Sequence, residues 1–185
     1  MDRQPEAMNM SWSRLASMVA VSTAIMFVLM YQLVYAWDHA FFSISRFLAS
    51  LVMACVMTVI MLAFMWKMYR GQGTKIAVVA VSALLGIALL AVNRGQLLVG
   101  DTAFMKAMIP HHSIAINNAR KAHLSDPRVR RLADDIIAAQ VMEIEEMKRL
   151  IADIDRNGER GTTTLPPRPA RLTRDMEAEI AAAVR

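Results

Sequence analysis

Phe104-Met105-Lys106-Ala107-Met108-Ile109-Pro110-His111-His112 gathers two thioethers and two imidazoles in a chain with four histidines in all. On a helix, residues three, four and seven apart share a face. Met105, Met108 and His112 therefore form one stripe, with His111 beside it. Thioether and imidazole donors together suit soft monovalent copper or silver. Packing offers a second reading of the same residues, with the methionines as adaptable core fillers and the histidines partly solvated. Pro110 lacks an N–H and its ring opposes the Lys106 carbonyl, so a kink is expected just before the histidine pair.

Outward from this stretch, the helical pattern opens at Gly100-Asp101, with Asp101 as a candidate N-cap, and runs to about Leu124. Ser125-Asp126-Pro127 reads as a turn in which Asp126 caps a second helix and Pro127 takes its first position. That helix runs to about Asp155 and stops at Asn157-Gly158. Its apolar stripe is Val129, Leu132, Ala133, Ile136, Ile144, Met147, Ile151 and Ile154, interrupted by Gln140. So short a turn makes the two helices an antiparallel hairpin. Counting from the turn, His112 falls level with about residue 139, beside Gln140, while Met108 falls level with Glu143 and Met105 with about Met147. Soft donors on one helix thus meet Gln140, Glu143 and Met147 on the other. Residues 160–171, rich in Thr and Pro, form an extended linker, and Leu172 to Val184 form a short terminal helix.

Before the hairpin the sequence changes character. Of three apolar runs, Leu15 to Trp37 and Phe47 to Trp66 have the roughly 20 residues that cross a hydrocarbon core, and the shorter Ile76 to about Val92 is extended by Gly95 to Val99 if Arg94 snorkels. Trp12, Trp37 and Trp66 stand at run ends, where amphipathic rings favour the membrane interface. The first run is too long for a signal peptide and lacks a small-residue cleavage site, so it is expected to be a retained span. Arg3 and Arg14 precede span one, and Lys67, Arg70 and Lys75 follow span two, against Arg46 alone between them. That bias puts the N-terminus in the cytoplasm and everything beyond the third span outside. Met53, Met57, Met61 and Met65 form a four-residue stripe along span two, for which helix packing is preferred over a cation path. Asp38 and His39, at the outer end of span one, are candidates to help capture a metal.

The bulk properties agree with this division. Of 185 residues 56% are hydrophobic, and the formal net charge is +5. One cysteine, Cys55, excludes an internal disulfide framework and a multi-cysteine zinc site. No basic stripe with interleaved aromatics supports a nucleic-acid partner. No Glu stands three residues before a His, as di-iron carboxylate oxidases need, and no phosphate loop or nucleophile elbow is present. No enzymatic activity and no organic cofactor are expected.

Asp101-x-x-Phe104-x-x-x-Met108-Ile109-Pro110-His111-His112, then Ala115-Ile116, Ala119, Leu132-Ala133 and Gln140-x-x-Glu143-Ile144-x-x-Met147, resemble the family called domain of unknown function 305 over about residues 100 to 155. The family is described as ferritin-like and four-helical, and some members bind copper or silver in the periplasm through Met and His. The resemblance implies Met105, Met108, His111, His112 and Met147 as metal ligands, with Gln140, Glu143 and Asp101 supporting them. Soluble members often repeat the motif in a second hairpin, whereas this chain carries one hairpin and three spans.

The resulting expectation is an all-α chain: a tail (1–14), three transmembrane helices (15–94), an antiparallel two-helix hairpin that is half of a ferritin-like four-helix bundle (100–156), and a linker with a short helix (157–185). Its expected role is a module of the bacterial inner membrane that holds Cu(I) or Ag(I) on the periplasmic side for tolerance or trafficking. Its expected partners are the metal ion, the bilayer and a second copy of itself, as a homodimer or higher oligomer. The alternative is a structural or signalling membrane protein that oligomerises through the hairpin without metal. Two helices alone are expected to leave Met105, Met108, Ile136 and Ile144 partly in water.

Overall fold

Serine hydroxyls open the first two long helices of the structure, a computed structural model that describes residues 10–184. Ser11 accepts the Arg14 N–H at 3.3 Å and starts α1 (Trp12–Leu29). Ser43 accepts the Arg46 N–H at 3.3 Å and starts α2 (Ile44–Phe64). Both satisfy a backbone donor that the first helical turn cannot. Then follow α3 (Gln72–Arg94), α4 (Asp101–Lys121), α5 (Pro127–Asn157) and α6 (Arg174–Val184), with single 3₁₀ turns at Trp37–His39 and Trp66–Met68. Every regular element among the described residues is helical. The first nine residues of the expected tail, Arg3 among them, and Arg185 lie outside the described residues.

The chain divides into two compact units. One comprises the chain to Leu33 together with Ala40–Ala107, and the other comprises Val34–His39 together with Met108 onward. The boundary falls inside α4.

In the first unit, α1, α2 and α3 are each long and apolar enough to cross a membrane. α2 lies against α3, and Gly86 permits the close approach: a Cβ there would stand 3.1 Å from the Cβ of buried Cys55. Span one ends earlier than its apolar run suggests. α1 stops at Leu29, where the Met30 carbonyl takes a hydrogen bond from the Arg46 guanidinium, and the Tyr31 hydroxyl accepts the Ser43 N–H at 3.1 Å. Leu33 to Trp37 therefore leave the helix despite their hydropathy, and Trp37 is exposed.

In the second unit, Asp126 accepts the Arg128 N–H at 2.9 Å, Pro127 opens α5, and Gly158 (φ 78°) ends it by donating its N–H to the Ile154 carbonyl at 2.9 Å. The left-handed φ at Gly158 explains glycine in that position. α4 continues as helix through buried Pro110. It buries Ile109, Ser113 and Ile116, and α5 buries Ala133, Ile144, Met147 and Ile151. The first part of the expected α5 stripe is covered only at Ala133: Val129, Leu132 and Ile136 are exposed. Conversely, Met105 and Ile144, expected to reach water, are buried within the single chain.

Gly86→Val should drive a branched side chain into Cys55 and destabilise the α2–α3 pair by about 1–3 kcal/mol. Thermal unfolding in detergent checks this, and an unchanged midpoint would show that the approach of these helices is not sterically set.

Candidate functional site

His112 lies one helical turn after Met108, and its Nδ1 stands 2.9 Å from the Met108 carbonyl oxygen. Its Nε2 stands 2.8 Å from Glu143 Oε2 on α5. Both ring nitrogens thus face acceptors. A neutral imidazole has one N–H and serves one of them, whereas an imidazolium serves both. Gln140 donates to the same carboxylate oxygen at 3.2 Å, which holds Glu143 toward the ring. The His112 side chain is 13% exposed and Glu143 is 49% exposed, so the pair sits at the edge of the hairpin interior.

This contact joins the two helices of the hairpin. Counting from the turn places His112 level with about residue 139, beside Gln140, and the Gln140–Glu143 hydrogen bond links that position to the carboxylate that meets the ring. Met147 is buried. His111 is exposed, with its ring centroid 6.1 Å from that of His112. Met105 is buried one turn before Met108 and belongs to the first unit. Asp101 does not cap α4: the Phe104 N–H bonds to the Gly100 carbonyl at 2.8 Å, which makes Asp101 the first helical residue. It lies about 16 Å along the axis from His112 and cannot support that ring. Among the described residues, no three His, Cys, Asp or Glu side chains gather into a metal-sized group. The groups in contact with the His112 ring nitrogens are the Met108 carbonyl and the Glu143 carboxylate.

A second cluster, foreshadowed in the sequence only by Asp38 and His39, adjoins the first. The Ser113 hydroxyl is fully buried; it accepts the Tyr35 N–H at 2.7 Å and faces His39 Nδ1 at 3.0 Å. Lys148, next in sequence to Met147, donates to Asp38 Oδ2 at 2.6 Å. The Arg120 guanidinium lies over the Tyr35 ring and bonds its hydroxyl. Residues 34–39 form a strap fixed to the hairpin on both helices. The Lys148 hydrogen bond holds the Asp38 carboxyl below its usual range. Burial, reinforced by Lys148 and opposed by Asp38, pushes the His39 imidazole below its usual 6.5. A neutral His39 fits the geometry, with Ser113 O–H donating to Nδ1. Sequence periodicity could not reveal this cluster, because Tyr35 contributes a backbone N–H and Ser113 is an ordinary residue of an apolar face.

Residues 99–182 match the model of a family described as Domain of unknown function (DUF305). Uncharacterized protein L153 of Acanthamoeba polyphaga mimivirus is similar, at 40% identity over 60 residues. The match covers 31% of this chain and 40% of that protein, so the chain spans less than half of that relative. No solved structure matches the chain.

Two outcomes follow from the strap. Ser113→Ala leaves the Tyr35 N–H without its acceptor and should cost about 1–3 kcal/mol, read by thermal unfolding and by faster amide exchange at Tyr35. Because the docked His39 binds protons less readily than the released one, strap docking should be strongest above pH 6.5 and weaken as pH falls below it. Tyr35 protection that rose on acidification from pH 8 to 5, after correction for intrinsic exchange, would contradict that sign.

Proposed function

Over residues 99–182 the chain belongs to the domain of unknown function 305 family, and from that membership we propose a membrane-anchored protein that binds soft monovalent metal, Cu(I) or Ag(I), at its hairpin. The observation that carries this reading is the His112 ring. Imidazoles that bind metal through one nitrogen characteristically donate the other N–H to a carbonyl or carboxylate, which fixes tautomer and orientation. The Nδ1 contact to the Met108 carbonyl supplies that bond and leaves Nε2 as the metal-binding nitrogen. Nε2 faces Glu143 Oε2 at 2.8 Å; a metal bound at Nε2 would take the place of that contact, with Glu143 as a nearby counter-charge. Met108, one turn before His112 on α4, and Met147, one turn after Glu143 on α5, supply thioethers whose softness favours Cu(I) and Ag(I) over harder ions. Met105 and His111 extend the donor set along and beside the same helix. This is a binding site, and no catalytic residue is assigned.

The membrane arrangement we propose places α1, α2 and α3 across the bacterial inner membrane. The strap precedes α2 and the hairpin follows α3, and both belong to one compact unit, which supports their lying on the same side. Three alternating spans give that placement, and the Lys67-Arg70-Lys75 loop argues that the other side is the cytoplasm. The hairpin is then periplasmic, suited to metal tolerance or trafficking. The exposed Val129, Leu132 and Ile136 favour association of two copies through the N-terminal half of α5. In the metal-free alternative that same face is the working surface.

Met108→Leu roughly conserves volume, so stability should shift by less than about 1.5 kcal/mol while Ag(I) affinity falls. His112→Leu should also weaken Ag(I) binding. Equal affinity in the parent and both variants, by competition titration of the full chain in detergent, would place any metal elsewhere. A periplasm-active reporter fused after Arg185 should be active, and a cytoplasm-active one silent; the reverse would invert the topology.

A further inference from the structure

The C-terminal end of α2 carries a second concentration of thioethers. Leu15, Leu62 and Tyr69 form a buried trio, and Met10, Met61, Met65 and Met68 all pack against it together with Trp12 and Trp66. These methionines come from three separate pieces of chain: the approach to α1, the last turn of α2, and the 3₁₀ turn beyond it. Met10 N–H bonds to the Met68 carbonyl at 3.0 Å, and Met65 N–H to the Met61 carbonyl at 2.9 Å, so backbone contacts hold the four together. The Tyr69 hydroxyl is buried here, and among the described residues it has no hydrogen-bond partner. An orphaned buried hydroxyl is costly, and in a purely apolar cluster Phe would avoid the penalty.

We propose that Met10, Met61, Met65 and Met68, with the Tyr69 oxygen lone pairs, form a further soft-metal site that takes one Cu(I) or Ag(I). Four neutral thioethers bring no negative charge, so the site suits a soft monovalent ion and not a harder divalent one. The site is at the C-terminal end of α2, and Met57 and Met53 continue its four-residue spacing back along that helix. This site stands on its own residues and does not depend on the His112 reading.

The test is Ag(I) retained by the full chain in detergent after desalting, compared among the parent, His111→Ala/His112→Ala, Met61→Leu/Met65→Leu/Met68→Leu, and the combined variant. The histidine variant should keep about one equivalent, and the combined variant about none. Leucine conserves methionine volume, so the helices should stay folded, which far-ultraviolet circular dichroism verifies. If the methionine variant retains as much Ag(I) as the parent, and the combined variant as much as the histidine variant, the proposal is overturned. Failure of the hairpin reading has a different signature: the histidine variant would equal the parent while the methionine effect remained. As a second readout, in a Trp37→Phe background, Ag(I) should quench the emission of Trp12 and Trp66 before the methionine substitutions and not after them. Emission insensitive to Ag(I) in both would contradict the site.

Discussion

The buried hydroxyl of Ser113 is the contact that the architecture of the second unit depends on. It receives the Tyr35 N–H and faces His39, so a stretch that hydropathy assigns to a membrane span is drawn out of it and onto the hairpin. A single hydrogen bond contributes only about 1 kcal/mol net, yet leaving these buried groups unpaired costs more than the bond contributes. The Lys148–Asp38 ion pair and the Arg120–Tyr35 contact add two more attachments, one on each hairpin helix. Since Asp38 is 67% exposed in that pair, its share is small beside that of Ser113. The strap makes the loop between the first two spans part of the same body as α4 and α5.

That body also fixes the candidate metal residues. Ser113 follows His112 in sequence, and Lys148 follows Met147. Each strap attachment therefore stiffens the helical turn that carries a soft donor. The His112–Glu143 contact joins α4 and α5, so a contact that holds the hairpin also orients the imidazole. A polar contact of this kind, half in solvent, adds modestly to stability. Its stronger effect is geometric, because a ring held at Nδ1 presents Nε2 in one direction only.

Much of this was legible in the sequence. The apolar runs located the three long helices, and Asp126-Pro127 and Asn157-Gly158 bounded α5 through local turn chemistry. What was not legible depends on distant contacts. The end of α1 is marked by the Arg46–Met30 and Ser43–Tyr31 hydrogen bonds, neither of which alters the hydropathy of Leu33 to Trp37. Asp101 had the chemistry of an N-cap, but Gly100 already stood in that position. On α5 the stripe on both sides of Gln140 is periodic, yet Val129, Leu132 and Ile136 in its first part are exposed, and periodicity cannot say where a partner helix ends.

The central claim is that a soft ion is bound through His112 and neighbouring thioethers. X-ray absorption at the copper edge, on the full chain loaded with Cu(I), tests it most directly. The account predicts a mixed shell of sulfur and imidazole nitrogen, with the imidazole scattering lost in His112→Leu. A shell of oxygen and nitrogen without sulfur, or imidazole scattering unchanged by His112→Leu, would contradict it.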